Sequence, residues 1–117
     1  MSVIDRKKLM EHVGDSPELL IELIELFLEL GPGMFKDIEE SVEQGSPDGL
    51  QRSAHSLKGS VGNFAAEDTF EASLLLETMG RNKNLTGAQD ALIVLQNALK
   101  RLFDELTSIK TELVSSK

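Results

Sequence analysis

Within the segment Ala54-His55-Ser56-Leu57-Lys58-Gly59-Ser60-Val61-Gly62-Asn63-Phe64, a lysine follows one histidine by three residues, and two glycines lie within the next seven. An imidazole titrates near neutrality, with an unperturbed pKa of about 6.5, so its neutral ring can act as a nucleophile or a metal ligand. The segment reads as helix. At about 100° per residue, Leu50, Ala54, Leu57, Val61 and Phe64 fall in a stripe roughly 80° wide, the face a helix buries against a core. From the centre of that stripe, His55 lies at about 140°, Gly62 at about 120°, Gly59 at about 180°, Gln51 at about 100° and Lys58 at about 80°. His55 therefore faces solvent. Each glycine weakens a helix interior by roughly 1 kcal/mol relative to alanine. Both lie about one turn from His55, so the backbone on either side of the imidazole is bare and open to something large.

The rest of the chain must hold that helix in place. A length of 117 residues suits one domain spanning 1–117 and suffices for a real core. Aromatic residues make up only 4 % of the chain, with no tryptophan or tyrosine, so the core must be built from Leu, Ile, Val, Ala, Met and Phe, a palette that favours helices. Asp5 is placed to cap a short first helix carrying Leu9, Met10 and Val13 and closed by Gly14. Ser16-Pro17 and Ser46-Pro47 are strong start signals, with proline at the first helical position where its missing donor does no harm. The helix after Ser16 is apolar at Leu19, Leu20, Leu23, Ile24, Phe27 and Leu28, and the pattern resumes at Met34, Phe35, Ile38 and Val42. This predicts one long helix kinked at Pro32 rather than two separate ones. Gly45 ends it, and Ser46 opens the helix carrying His55. The next helix is expected to bury Phe70, Leu74, Leu75 and Met79 and to end between Gly80 and Asn84. Thr86 with Gln89 predicts a capping box for a last helix carrying Leu92, Leu95, Leu99, Leu102, Phe103, Leu106, Ile109 and Leu113, with Val114 to Lys117 fraying. The expected fold is all-α: an antiparallel four-helix bundle with a short extra N-terminal helix.

The pattern resembles a histidine-containing phosphotransfer (HPt) domain of the bacterial phosphorelay type, over nearly the whole chain. The family signature, His-x-x-Lys-Gly followed by small residues, stands here as His55-Ser56-Leu57-Lys58-Gly59-Ser60, and Leu23-Ile24-Glu25-Leu26-Phe27-Leu28 with Pro32 shortly after resembles the family's second helix. Ala65 departs from it, where many members carry glycine; that affects the turn between helices and not the phosphate site. The resemblance implies that one ring nitrogen of His55, Nε2, accepts a phosphoryl group from an aspartyl phosphate on a receiver domain and returns it to another receiver's aspartate. Lys58 would offset the phosphoryl charge. Gly59 and Gly62 would give clearance to the partner, and Gln51 and Arg52 would line the docking face. Glu77 lies where several members place a polar residue that hydrogen-bonds the other ring nitrogen and fixes its tautomer. Without the resemblance, Glu77 reads as an exposed helix glutamate.

The implied partners are receiver domains of response regulators and hybrid histidine kinases. The chain has no Gly-rich nucleotide loop and no evident carboxylate cluster for Mg²⁺, so no cofactor of its own and no ATP-dependent kinase activity are expected, and Mg²⁺ should reside on the receiver. A formal charge of −8, from 20 acidic against 12 basic residues, disfavours nucleic acid and anionic membrane as partners. Zero cysteines and no apolar stretch of spanning length lead us to expect a soluble, cytoplasmic, monomeric protein, free-standing to judge from Met1 and the short tails. Two other classes compete. One is a helical adaptor or inhibitor that docks on receivers or kinases without carrying phosphate. The other is a metal or haem bundle using His55 and His12, disfavoured because no paired Glu-x-x-His pattern accompanies them.

Overall fold

The computed structural model describes residues 4–115. Five α-helices occupy them: α1 (Arg6–His12), α2 (Pro17–Glu43), α3 (Pro47–Val61), α4 (Glu67–Arg81) and α5 (Ala88–Ser115), with a single 3₁₀ turn at Gly62–Phe64 between α3 and α4. Helices α2 and α4 each pack against both α3 and α5, closing a four-helix ring, while α1 rests on the 3₁₀ turn. The start signals act as read. Ser16 Oγ accepts the Leu19 N–H and Ser46 Oγ accepts the Gly49 N–H, both at 3.2 Å, each ahead of a proline at the first turn. Asp5 caps α1 by accepting from Lys7 and Lys8.

Helix α2 runs unbroken through Pro32, which lies on the solvent side, while neighbouring Gly31 is buried against the Phe103 ring. The predicted stripe of α3 is the buried one: Leu50, Ala54, Leu57, Val61 and Phe64 are all in the core. Phe27 stacks at 5.3 Å from Phe64 and 5.5 Å from Phe103, tying α2 to the turn after α3 and to α5.

Four expectations are corrected. Leu19 is exposed, leaving Leu20, Ile21, Ile24 and Phe27 as the buried residues of the first half of α2. Thr86 does not form a capping box: its N–H is taken by Asn84 Oδ1, and α5 begins two residues later, where the Gly87 carbonyl accepts from Ala91. Helix α4 is turned relative to its predicted register. Phe70, Leu74 and Leu75 are exposed and Met79 half-buried, while Thr69, Ala72, Ser73, Leu76, Glu77 and Gly80 face inward. The physical reason is the closeness of α3. A Cβ on Gly80 would stand 2.6 Å from both the Gln51 amide nitrogen and the Pro47 carbonyl oxygen, so only glycine fits at this crossing, and Thr69, Ala72 and Ser73 keep much of the inner face small. Of the residues expected to fray, Val114 and Ser115 are still helical, and Ser116 and Lys117 lie outside the described residues.

Ala65 adopts φ 52 and ψ 34, the left-handed region, at the turn into α4. That conformation is strained for a residue with a Cβ by roughly 1–2 kcal/mol, more than glycine loses through its freer unfolded chain. We expect Ala65→Gly to stabilise the protein by about 0.5–1 kcal/mol, read as a raised midpoint in denaturant unfolding.

Candidate functional site

The close crossing at Gly80 sets the site's geometry. Gly80 meets Pro47 and Gln51 near the start of α3, and one turn earlier on α4, Glu77 comes up beneath His55 and Lys58 further along α3. The His55 side chain is 66 % exposed and its Nδ1 lies 2.9 Å from Glu77 Oε2. Lys58, one turn on, places Nζ 2.7 Å from Glu77 Oε1 and 5.9 Å from the centre of the Phe70 ring. Arg81, one turn along α4, donates from Nη2 to the same Oε2 that receives His55, at 3.0 Å. Glu77 itself is only 4 % exposed. One buried carboxylate thus gathers three partners from two helices.

Electrostatics decides the protonation pattern. Burial pushes the Glu77 carboxyl up, but the bonds and charges of Lys58 and His55 outweigh it and hold its pKa below the ordinary carboxylate value. An ionised carboxylate only accepts, so Nδ1 of the neutral ring must carry the hydrogen. Nε2 then holds the lone pair on an exposed ring, which is the arrangement of a nucleophile.

The lowered pKa has a stability consequence with a definite sign. A carboxyl more acidic folded than unfolded stabilises the native state above the unfolded value near 4.5, and that contribution drains away as pH falls through the lower folded value. Denaturant unfolding from pH 7 downward should therefore show stability falling below about pH 4.5, with a shallower fall in Glu77→Gln. Parallel curves for the two proteins would contradict this.

Of the residues singled out from sequence, His55, Lys58 and Glu77 come together in the network. Reading Glu77 as an exposed surface glutamate is overturned by its burial. Gln51, Arg52, Gly59 and Gly62 lie along the same helix outside it: Arg52 and Gly59 are exposed, and Gln51 and Gly62 are half-buried. A Cβ on Gly59 would meet nothing within 4 Å, and one on Gly62 only an ordinary contact with Phe70 at 3.9 Å. The packing of this chain does not require glycine at either position. His12 lies exposed at the end of α1, and among the described residues no group of three or more His, Asp or Glu is arranged to hold a metal ion.

Two residues of the site are not singled out by the sequence reading. Arg81 was legible as the basic half of a Glu-x-x-x-Arg pair on one helix face, a common surface pattern with little to distinguish it. The apolarity of Phe70 points to the core, whereas in the structure it flanks Lys58. Among the described residues, no helix is long and apolar enough to cross a membrane.

The family model described as the Hpt domain matches residues 22–105 of the chain. No curated protein matches the sequence. Among solved structures, the chain resembles the crystal structure of histidine-containing phosphotransfer protein B (HptB) from Pseudomonas aeruginosa PAO1. The TM-score is 0.86 at 16 % identity, over 93 % of this chain and 95 % of that one. At that identity the likeness is one of fold.

Proposed function

This chain belongs to the Hpt domain family, whose members are phosphocarrier modules that interact with receiver domains in phosphorelays, and on that premise we propose that His55 is its phosphoryl acceptor. The observation that carries the reading is the pairing of His55 Nδ1 with the buried Glu77, which leaves Nε2 as the free nitrogen on the exposed side of the ring. The donor is an aspartyl phosphate on a receiver domain. The Nε2 lone pair attacks phosphorus as the bond from phosphorus to the aspartate oxygen breaks, and the aspartate departs as a carboxylate. Nδ1 keeps its hydrogen on Glu77 throughout, so the positive charge that builds on the ring faces a buried negative one. Transfer to a second receiver is the same step reversed.

Lys58 supplies positive charge to the transferring group, and Gly59 and Gly62 leave room for the receiver's loops. Gln51 and Arg52, one turn before His55, belong to the docking face. The receiver contributes the Mg²⁺ and the acidic pocket, so the chain has no ATP-dependent step of its own. We place it in the cytoplasm, as a monomer and a single domain.

The test is transfer in both directions. The purified protein, mixed with phosphorylated receivers from the same cell, should gain one acid-labile phosphate on His55, and the labelled protein should pass it to an unphosphorylated receiver. Absence of labelling by every receiver would overturn the reading. Cellular signalling that survives His55→Ala would favour an adaptor that docks without carrying phosphate.

A further inference from the structure

The site holds one more cation than its buried charge requires. Glu77 contributes one negative charge, Lys58 and Arg81 contribute two positive ones, and His55 in the tautomer described is neutral. The two carboxylate oxygens are used unequally. Lys58 is paired with Oε1, whereas His55 and Arg81 share Oε2. Lys58 can therefore leave without disturbing the bond that orients the imidazole. It cannot leave a buried carboxylate with no cation at all, because an uncompensated buried charge is strongly disfavoured. Arg81 is the group that remains. Its guanidinium presents a planar fork of donors matched to a carboxylate, and its half-exposed side chain has room to spread across both oxygens.

We propose that Lys58 is a mobile cation, resting on Glu77 Oε1 before phosphorylation and moving to the phosphoryl oxygens once they sit on Nε2, and that Arg81 permits the move by continuing to neutralise Glu77. The inference rests on His55 being the acceptor. The driving force is charge: a phosphoryl group brings close to two negative charges to the exposed side of the ring, where Lys58 stands one turn from His55 on the same helix. Arg81 is in this sense a positioning residue. Without it, Lys58 is confined to Glu77 and the transferring group loses its counter-charge.

The test is a double-mutant cycle on the full chain with phosphoramidate as donor, which removes receiver docking from the measurement. Nε2 forms its bond to phosphorus as the phosphorus–nitrogen bond of phosphoramidate breaks and ammonia leaves, and the rate is read by intact-mass spectrometry. Arg81→Ala should slow labelling about tenfold, the low end of what loss of one charged hydrogen bond produces. In the Glu77→Gln background the same change should alter the rate by less than about twofold, because an amide still accepts from Nδ1 but has no charge with which to retain Lys58. Arg81→Lys should recover most of the loss. Unfolding midpoints of all variants show whether any rate change is a folding defect. Equal slowing in both backgrounds would mean that Arg81 touches the phosphoryl group itself, and no slowing would mean that the Lys58–Glu77 pair does not limit transfer; either result overturns the proposal. Should phosphoramidate leave the wild-type protein unlabelled, the same cycle is run with a phosphorylated receiver as donor. A wild-type protein that neither donor labels rejects His55 as acceptor instead, so the two failures are distinct.

Discussion

His55→Gln should reduce phosphoryl acceptance to background while leaving the fold intact. Glutamine approximates the reach of histidine and can still donate to Glu77 Oε2, so the polar network keeps a partner at that position. What it lacks is a nucleophilic nitrogen, because the amide lone pair is delocalised into the carbonyl. The lost ring is largely exposed, and Glu77 retains Lys58 and Arg81, so the stability change should stay within about 1 kcal/mol. Labelling by a phosphorylated receiver, followed by mass spectrometry, checks the first statement, and denaturant unfolding checks the second. His12→Gln serves as the control, since His12 is the only other histidine and stands at the end of α1. Acid-labile phosphate persisting in His55→Gln would place the nucleophile elsewhere.

Gly80→Ala should be the most damaging small substitution for stability. In an exposed helix interior this change is stabilising by roughly 1 kcal/mol, so the sign itself is informative. At Gly80 the new methyl would lie 2.6 Å from a backbone nitrogen and a backbone oxygen of α3, and 3.0 Å from the Gln51 Cα. Backbone atoms cannot swing aside as a flexible side chain can, so α3 and α4 must separate. Overpacking of this kind costs about 1–3 kcal/mol and occasionally more; with the helix gain of roughly 1 kcal/mol set against it, we expect a net loss of about 1–2 kcal/mol in denaturant unfolding. The separation also lifts Glu77, one turn away, from His55 and Lys58. Phosphoryl transfer by the fraction that remains folded should therefore slow as well. An unchanged or raised unfolding midpoint would show that the two helices are not held this closely.

What could be read from the sequence follows a physical division. Helix α3 was legible because its inner face is built from large apolar residues at a 3.6-residue period, which hydrophobicity detects. Helix α4 was read with the wrong face inward for the complementary reason. Close packing against α3 puts threonine, alanine, serine and glycine inside beside Leu76, and the carboxylate under His55 is a buried glutamate, so Phe70, Leu74 and Leu75 are left facing out. The capping-box reading failed on a local competition, with Asn84 taking the N–H that the box would have used. In the site, His55, Lys58 and Gly59 form a contiguous motif within one helix and were visible as such. Glu77 stands 22 residues from His55, and residue types alone did not separate it from the many surface glutamates. Arg81 meets it as a local i,i+4 pair on α4, whereas the arrival of Lys58 from α3 is a tertiary fact with no local trace.

The open space beside Gly59 has a consequence for anyone who would improve this protein. Nothing in the fold opposes a side chain there, and helix propensity favours one, so a selection for heat resistance alone would fill that position early. Gly80, equally a glycine in a helix, would be spared. Thermal selection can thus tell a glycine kept for the bundle from one that the bundle does not need.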